Sequence, residues 1–245
     1  ERVGLHQLRH RLVAERDVAG PDLRLDLAVG GRDRALARAE RRVDAVVHLL
    51  GLAVAVPACA AFLVALPRPA DAMLVAALGA YAAGLLGMLA CSTLYNCAPP
   101  GRRRQVLRRL DHAAIFFMIA GTYTPISLLA IGGAWGGALL ALVWSGALCG
   151  AALKLFAPAR FERMAVIAYL ALGWAGAVAV HRLVATLPGW SLALLLAGGL
   201  IYSLGVVLHL STRLRFHAAL WHGCVVAAAG CHYAVILGLA MSPPA

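Results

Sequence analysis

A few polar side chains stand at the edges of long apolar segments, where they can do acid–base chemistry. Ser92 and Asn96 lie one helical turn apart near the end of one segment, Asp111 precedes the next, and His222 lies inside the last. A carboxylate in an apolar segment is costly unless it has a partner or a function. Imidazole changes its charge near neutral pH, so histidines beside such a carboxylate form a titratable cluster. These residues are therefore the first candidates for a functional site.

The composition indicates an integral membrane protein. The 245 residues are 62% hydrophobic, with a mean hydropathy of +0.81, whereas soluble domains are about 45–50% apolar. The net charge of +11 does not indicate nucleic-acid binding, because the arginines fall in gaps between apolar runs and do not form a basic face on a soluble fold. We expect membrane lipids as partners. The six cysteines include no CxxC pair, which supports neither a zinc knuckle nor a disulfide framework.

Seven apolar segments predict an all-α integral membrane fold, a bundle of seven transmembrane helices. Each segment is near the roughly 20 residues that cross about 30 Å of hydrocarbon, and a helix satisfies its own backbone hydrogen bonds there. The segments lie at 43–66, 72–95, 112–131, 137–156, 164–181, 189–210 and 219–241. Residues 1–42 are charged and lack an apolar core. We predict a mobile cytoplasmic tail at 1–42, followed by a transmembrane domain at 43–241.

The basic residues predict the orientation of the bundle. Fifteen Lys and Arg stand within residues 32–42, just before segment 1, or in the 2–3, 4–5 and 6–7 connections, against Arg68 and Arg182 on the other side. The side with more Lys and Arg is cytoplasmic, so we predict that the N-terminus is inside. Ser92, Asp111 and His222 then share the cytoplasmic end of the bundle.

Two interpretations of these polar residues remain open. Glu40, Asp44 and His48 lie at i, i+4 and i+8, on one face of a helix. Such residues can simply satisfy helix ends at the interface, and Asp111 stands where an N-cap residue would. His48 and His222 instead lie inside apolar runs, where polar groups are functional candidates. Residue types and spacing alone do not decide between the two.

Several motifs occur in a recognisable order along the chain. CSTLYN at 91–96 is followed by LDHAAIF at 110–116 and AGTYTP at 120–125. Further matches are Glu40…Asp44…His48, Gly173-Trp174, GLIYSLG at 199–205 and Trp221-His222. Together they resemble the hemolysin III family, the bacterial branch of the progestin and adipoQ receptor superfamily. The resemblance covers about 40–241 and implies a seven-helix bundle with its N-terminus inside.

The resemblance also implies a zinc site near the cytoplasmic side. In better-understood superfamily members, the ligands are a His that ends helix 2 and a His-x-x-x-His pair on helix 7, and an Asp that opens helix 3 holds the attacking water. Carried over to this sequence, the metal ligands are His222, His217 and Asn96, and the catalytic residues are Asp111 and Ser92. Three protein ligands leave zinc an open position for catalysis.

This sequence departs from the zinc pattern at two of the three ligands. Asn96 stands where the pattern has His, and an amide is a poor zinc ligand beside His or Cys. Ala218 stands four residues before His222, and His217 stands five residues before it. That spacing places His217 roughly 140° around the helix from His222, against about 40° for a four-residue spacing. We therefore expect zinc to be held more weakly than by the complete pattern.

Three functions remain open. The first is a hemolysin III-like integral membrane protein that is cytolytic or acts on membrane lipid state without catalysis. The second is a metal-dependent hydrolase of lipid amides such as ceramide, using Asp111 and His222. The third is a proton- or ligand-responsive receptor or transporter that uses His48, Asp111 and His222 as a titratable cluster. In each case the resemblance implies a multi-pass protein of the bacterial cytoplasmic (inner) membrane, and no oligomeric state is predicted.

The orientation can be tested with reporter fusions. We predict that a reporter fused within residues 102–109 reports a cytoplasmic location, because the arginines of this connection oppose translocation across the membrane. A reporter fused near Arg182 should report the outer side. A periplasmic location for residues 102–109 would contradict both the orientation and the cytoplasmic placement of the polar residues.

Overall fold

The structure is a computed structural model, and it describes residues 31–66, 69, 71–157, 162–211 and 213–241. The described residues form helices and no strands. The helices are α1 (Gly31–Ala65), α2 (Ala72–Cys97), α3 (Arg102–Pro125), α4 (Gly133–Phe156), α5 (Glu162–Gly173), α6 (Val180–Thr186), α7 (Gly189–Leu210) and α8 (His217–Met241). A π-helix, Ile126–Ile131, continues α3, and a 3₁₀ helix, Ala175–Ala179, joins α5 to α6.

Seven helical stretches are long and apolar enough to cross a membrane, which confirms the predicted fold class. Six of them correspond to α1–α4, α7 and α8, and the fifth, Met164–Thr186, runs through α5, the 3₁₀ helix and α6. The first segment was predicted to start at residue 43, but α1 begins at Gly31, within the predicted tail. Residues 1–30 of that tail lie outside the described residues.

The third helix begins well before the predicted residue 112. Its first residue is Arg102, after Gly101, so the arginines of the predicted 2–3 connection form the opening turns of α3. Asp111 therefore lies inside the helix and is not its N-cap, which corrects the expectation that this carboxylate opens the helix. The predicted limits of the apolar segments follow hydropathy, which marks where an apolar run starts and not where a helix starts.

Contacts between side chains fix how neighbouring helices run. Ser92 of α2 contacts Asp111 of α3, and Ala80 of α2 would contact a Cβ at Gly121 of α3. A lower residue number on α2 therefore faces a higher one on α3. These two helices are therefore antiparallel. Helix α8 packs against both α7 and α1. Glu40 bonds to Phe216 at one end of α1, and Ala58 bonds to Tyr233 farther along it. Residue numbers therefore increase in the same direction along α1 and α8, so these two helices are parallel.

The fifth span is broken at mid-length, and Tyr123 of α3 bridges the break. Its hydroxyl donates a hydrogen bond to the Gly173 carbonyl at 2.7 Å and accepts one from the Gly176 N–H at 2.7 Å. Irregular backbone within a membrane must find such partners, because lipid offers none. The sequence predicts a spanning segment at 164–181 but does not show this break.

Glycines allow α2 and α3 to approach closely. A Cβ at Gly84 would lie 2.9 Å from the Phe117 carbonyl oxygen, and one at Gly121 would lie 2.8 Å from the Ala80 carbonyl oxygen. Small residues permit such backbone contact between membrane helices. The close packing places the ends of α2 and α3, with Ser92 and Asp111, against each other.

We predict that Gly121→Ala destabilises the protein by about 1–3 kcal/mol, because the added methyl group meets the rigid backbone of Ala80. Gly87→Ala is the matched control, since nothing lies within 4 Å of a Cβ at Gly87. The control should be neutral or stabilising by up to about 1 kcal/mol. Unfolding in mixed micelles by titration with a denaturing detergent measures both. Equal midpoints for the two variants would contradict the described α2–α3 packing.

Candidate metal centre

Asp44 and His48 lie one turn apart on the inner face of α1. Both are buried, with 5% of Asp44 and 1% of His48 exposed. The outer face of the same turns carries Val43, Val46 and Leu50, which are all more than 40% exposed. This division is what lipid requires, because polar side chains in a membrane face the interior of a helix bundle. The spacing of these residues in the sequence predicts a polar face, but it does not show which helix packs against that face.

His222 of α8 completes a group of three with these residues. Its Nδ1 lies 2.5 Å from the Asp44 Oδ1, and its ring centroid lies 4.2 Å from that of His48. The His48 Nε2 is 3.9 Å from the same Asp44 oxygen, too long for a hydrogen bond. One ligand atom from each residue lies within 4.8 Å of the other two. We call Asp44, His48 and His222 the α1–α8 triad.

His48 is the residue of the triad that most needs another partner. Both of its ring nitrogens are buried, and neither has a hydrogen-bond partner among the described residues. Buried polar atoms are nearly always paired, since an unpaired one costs about 1–3 kcal/mol. An imidazole nitrogen is also a common ligand for metal ions in proteins. A cation bound by the triad would satisfy one of the two nitrogens.

The donor set of the α1–α8 triad fits zinc. Two imidazoles and one carboxylate form a ligand set that catalytic zinc sites use, with the fourth position left for water or substrate. Asp44 can serve as a ligand, or it can accept the Nδ1–H of His222 and so orient that ring, as carboxylates beside metal-binding histidines do. Either role requires α1 and α8 to stay in contact.

Ser92 and Asp111 form a second buried polar pair, between α2 and α3. The Ser92 hydroxyl donates a hydrogen bond to the Asp111 Oδ1, and 3% and 6% of these residues are exposed. Asp111 also interacts electrostatically with His222 and Asp44. The structure thus places the predicted catalytic pair at the same end of the bundle as the α1–α8 triad. With Asp111 inside α3, capping of that helix does not account for its burial.

Asn96 and His217 are the other two predicted metal ligands, and His217 is not part of the triad. His217 is the first residue of α8, and its ring centroid lies 6.1 Å from that of His209 on α7. The Asn96 Nδ2 and the His217 Nδ1 are each buried without a hydrogen-bond partner among the described residues. Of the two predicted histidine ligands, His222 belongs to the triad and His217 does not, and Asp44 and His48 supply the other two side chains.

Basic side chains of the described chain surround this end of the bundle. Arg41 and Arg42 lie one turn before Asp44 on α1, Arg102–Arg109 form the start of α3, and Arg213 and Arg215 precede α8. Arg182, on α6, lies at the other end. The candidate centre therefore lies near the arginine-rich end of the bundle, at most about three helical turns from the starts of the spanning stretches of α1 and α8.

We predict that the purified protein, stripped of metal by a chelator and then supplied with zinc, binds about one zinc ion per chain. Removing one ligand should weaken binding by more than the roughly 10–100-fold typical of losing an outer-shell partner. His48→Ala and His222→Ala should both show this loss. His181→Ala, at the far end of the bundle, is the matched control. Elemental mass spectrometry and competition with a chelator give the stoichiometry and affinity.

His217→Ala separates the α1–α8 triad from the ligand set that the sequence predicted. We expect this variant to bind zinc like the parent, because His217 lies outside the triad. Zinc that is lost on His217→Ala but kept on His48→Ala would contradict the triad and support the predicted ligands.

Comparison with known proteins identifies the family. The model of the haemolysin-III related family matches residues 37–233, from α1 into α8. A hemolysin-3 homolog of Bacillus subtilis (strain 168) is 31% identical over 205 residues, 84% of this chain and 96% of the relative. Hemolysin-3 of Bacillus cereus is 33% identical over 183 residues, 75% of this chain and 84% of the relative. The monocyte to macrophage differentiation factor of Homo sapiens is 29% identical over 164 residues, 64% and 67% of the two chains. This chain therefore belongs to the haemolysin-III related family and is a multi-pass membrane protein.

Proposed function

We propose that this protein is a metal-dependent hydrolase that cleaves an amide bond of a membrane lipid. The observation that carries the proposal is the α1–α8 triad, which brings a carboxylate and two imidazoles within 4.8 Å inside a membrane bundle. Ionisable groups inside spanning helices are costly and usually serve a function. Next to the triad, Ser92 and Asp111 supply the hydroxyl and the carboxylate that a hydrolytic reaction needs.

The position of the triad supports a lipid substrate. An amide bond that joins a fatty acyl chain to the polar end of a lipid lies near the boundary between hydrocarbon and water. The triad and the Ser92–Asp111 pair stand near the arginine-rich end of the bundle, where the spanning helices meet that boundary. A ceramide-like lipid can place its amide at this depth while its acyl chain stays in the membrane.

In the proposed reaction, the α1–α8 triad binds the metal ion and Asp111 transfers protons. A zinc ion held by Asp44, His48 and His222 would supply Lewis-acid chemistry and lower the pKa of a coordinated water to about 7. The Asp111 carboxylate can take a proton from the attacking water and deliver it to the departing amine nitrogen. A carbon–oxygen bond forms as the carbon–nitrogen bond breaks, and the products are a fatty acid and an amine. The Ser92 hydroxyl holds the Asp111 carboxylate in a fixed orientation.

The proposal places the reaction on the cytoplasmic face of the bacterial inner membrane. The described arginines other than Arg182 gather at the end of the bundle that holds the triad, and basic connections are typical of the cytoplasmic side. Membrane lipids then both surround the protein and serve as its substrates.

Cytolysis is the second candidate function, and a specific observation favours it. The Bacillus cereus relative, 33% identical to this chain over 183 residues, carries the name Hemolysin-3. A protein of this kind would act on membranes without chemical turnover. In that case neither Asp111 nor the metal would be needed for release of vesicle contents.

We predict that the zinc-loaded protein hydrolyses a ceramide-like lipid amide in detergent micelles. Asp111→Asn should lower kcat by about 10²–10⁴-fold, because it removes the group that transfers protons. Asp71→Asn is the matched control, since Asp71 caps α2 at the opposite end of the bundle and Asn caps helices as well as Asp. Product formation is followed by mass spectrometry of the released fatty acid.

Dye-filled vesicles separate the two candidate functions. The hydrolase proposal expects no dye release that is independent of substrate cleavage. Equal dye release by the parent and by Asp111→Asn, with no cleavage of any lipid amide by the zinc-loaded parent, would contradict the hydrolase and support cytolysis.

A further inference from the structure

Glu40 links α1 to the start of α8. Its Oε1 accepts a hydrogen bond from the backbone N–H of Phe216 at 2.9 Å. Phe216 immediately precedes α8, and its carbonyl accepts the N–H of Leu220 at 2.9 Å, as the residue before a helix does. The N–H groups at the start of a helix have no partner within the helix. A carboxylate from α1 thus supplies a partner at the N-terminal end of α8.

The backbone of Phe216 is in a conformation that side chains disfavour. Its φ angle is +59°, in the left-handed region, and it is the one non-glycine residue of the described chain with a positive φ. A bulky residue holds such a conformation only when its surroundings impose it. The bond from Glu40 is a contact that acts directly on the backbone of this residue.

The Glu40–Phe216 hydrogen bond lies on the same side of α1 as the α1–α8 triad. Glu40, Asp44 and His48 occupy successive turns of one face of α1, while Phe216 immediately precedes α8 and His222 lies six residues after it. Because the two helices are parallel, the Glu40–Phe216 bond lies about one turn nearer the interface than the Asp44–His222 contact. Fixing the first contact limits how α8 can rotate or slide against α1, and so limits where His222 points.

We propose that Glu40 is a positioning residue for the metal centre: it holds the left-handed start of α8 and thereby sets the register in which His222 meets Asp44 and His48. The inference rests on the proposed function, because it names what aligns the same triad. Glu40 is not a ligand, since it is not part of the metal-binding group. It acts through the backbone of α8.

Metal affinity provides the first test. Glu40→Ala should weaken Co²⁺ and Zn²⁺ binding by about 10–100-fold, as loss of an outer-shell partner does, and should change the visible spectrum of the Co²⁺ form. Glu40→Gln keeps an oxygen that accepts the Phe216 N–H and should recover most of the affinity. Phe216→Gly in the Glu40→Ala background should also recover affinity, because glycine adopts a positive φ without strain. Arg42→Ala, at an exposed position of the same helix, is the control.

The hydrogen bond between His222 and Asp44 provides a second readout that needs no metal. In metal-free protein labelled with ¹⁵N-histidine, the Nδ1 proton of His222 should resonate far downfield, and His222→Ala assigns it. Glu40→Ala should shift or broaden this resonance, and Glu40→Gln should restore it.

The two readouts distinguish the possible failures. A Glu40→Ala variant that melts at a lower temperature, but keeps the parent's metal affinity, Co²⁺ spectrum and His222 resonance, would show a merely structural role and overturn the proposal. If the parent binds no metal, the proposed metal centre fails, and the His222 resonance alone decides whether Glu40 sets the register.

Discussion

Asp44 places a carboxylate inside a helix bundle whose outer surface must be apolar. In lipid, such a group cannot be left facing hydrocarbon, so α1 turns this face inward and presents Val43, Val46 and Leu50 outward. Inside the bundle the carboxylate needs a partner, and the closest described group is the Nδ1 of His222 at 2.5 Å. That requirement fixes α8 beside α1 and brings His48 into the same group. Much of the site's geometry follows from satisfying one buried charge.

The same constraint acts at the other buried carboxylate. Asp111 lies inside α3, where Ser92 of α2 donates a hydrogen bond to it, and the close approach of α2 and α3 at Gly84 and Gly121 brings these ends together. Buried ionic groups contribute little net stability compared with well-packed apolar residues. Two buried carboxylates at one end of an apolar bundle are therefore better explained by chemistry than by stability.

The sequence predicts the spanning segments well because the length and hydropathy of a run reflect the thickness of the membrane. It also predicts that Ser92, Asp111 and His222 share one end, since consecutive spans alternate in direction. The start of α3 could not be found this way, because the helical turns from Arg102 to Leu110 are not apolar. The triad could not be found either, because no pattern in one sequence shows that α8 packs against α1. The backbone groups at the break in the fifth span find their partner in Tyr123, a residue of another helix.

We propose that α1 and α8 together hold a metal ion through Asp44, His48 and His222. X-ray absorption at the zinc edge of the purified, zinc-loaded protein tests it most directly, because it reports the atoms that surround the ion. We predict a shell of nitrogen and oxygen at about 2.0–2.1 Å that includes two imidazoles, and the loss of one imidazole in His48→Ala. A parent without bound zinc, or a His48→Ala spectrum identical to that of the parent, would contradict it.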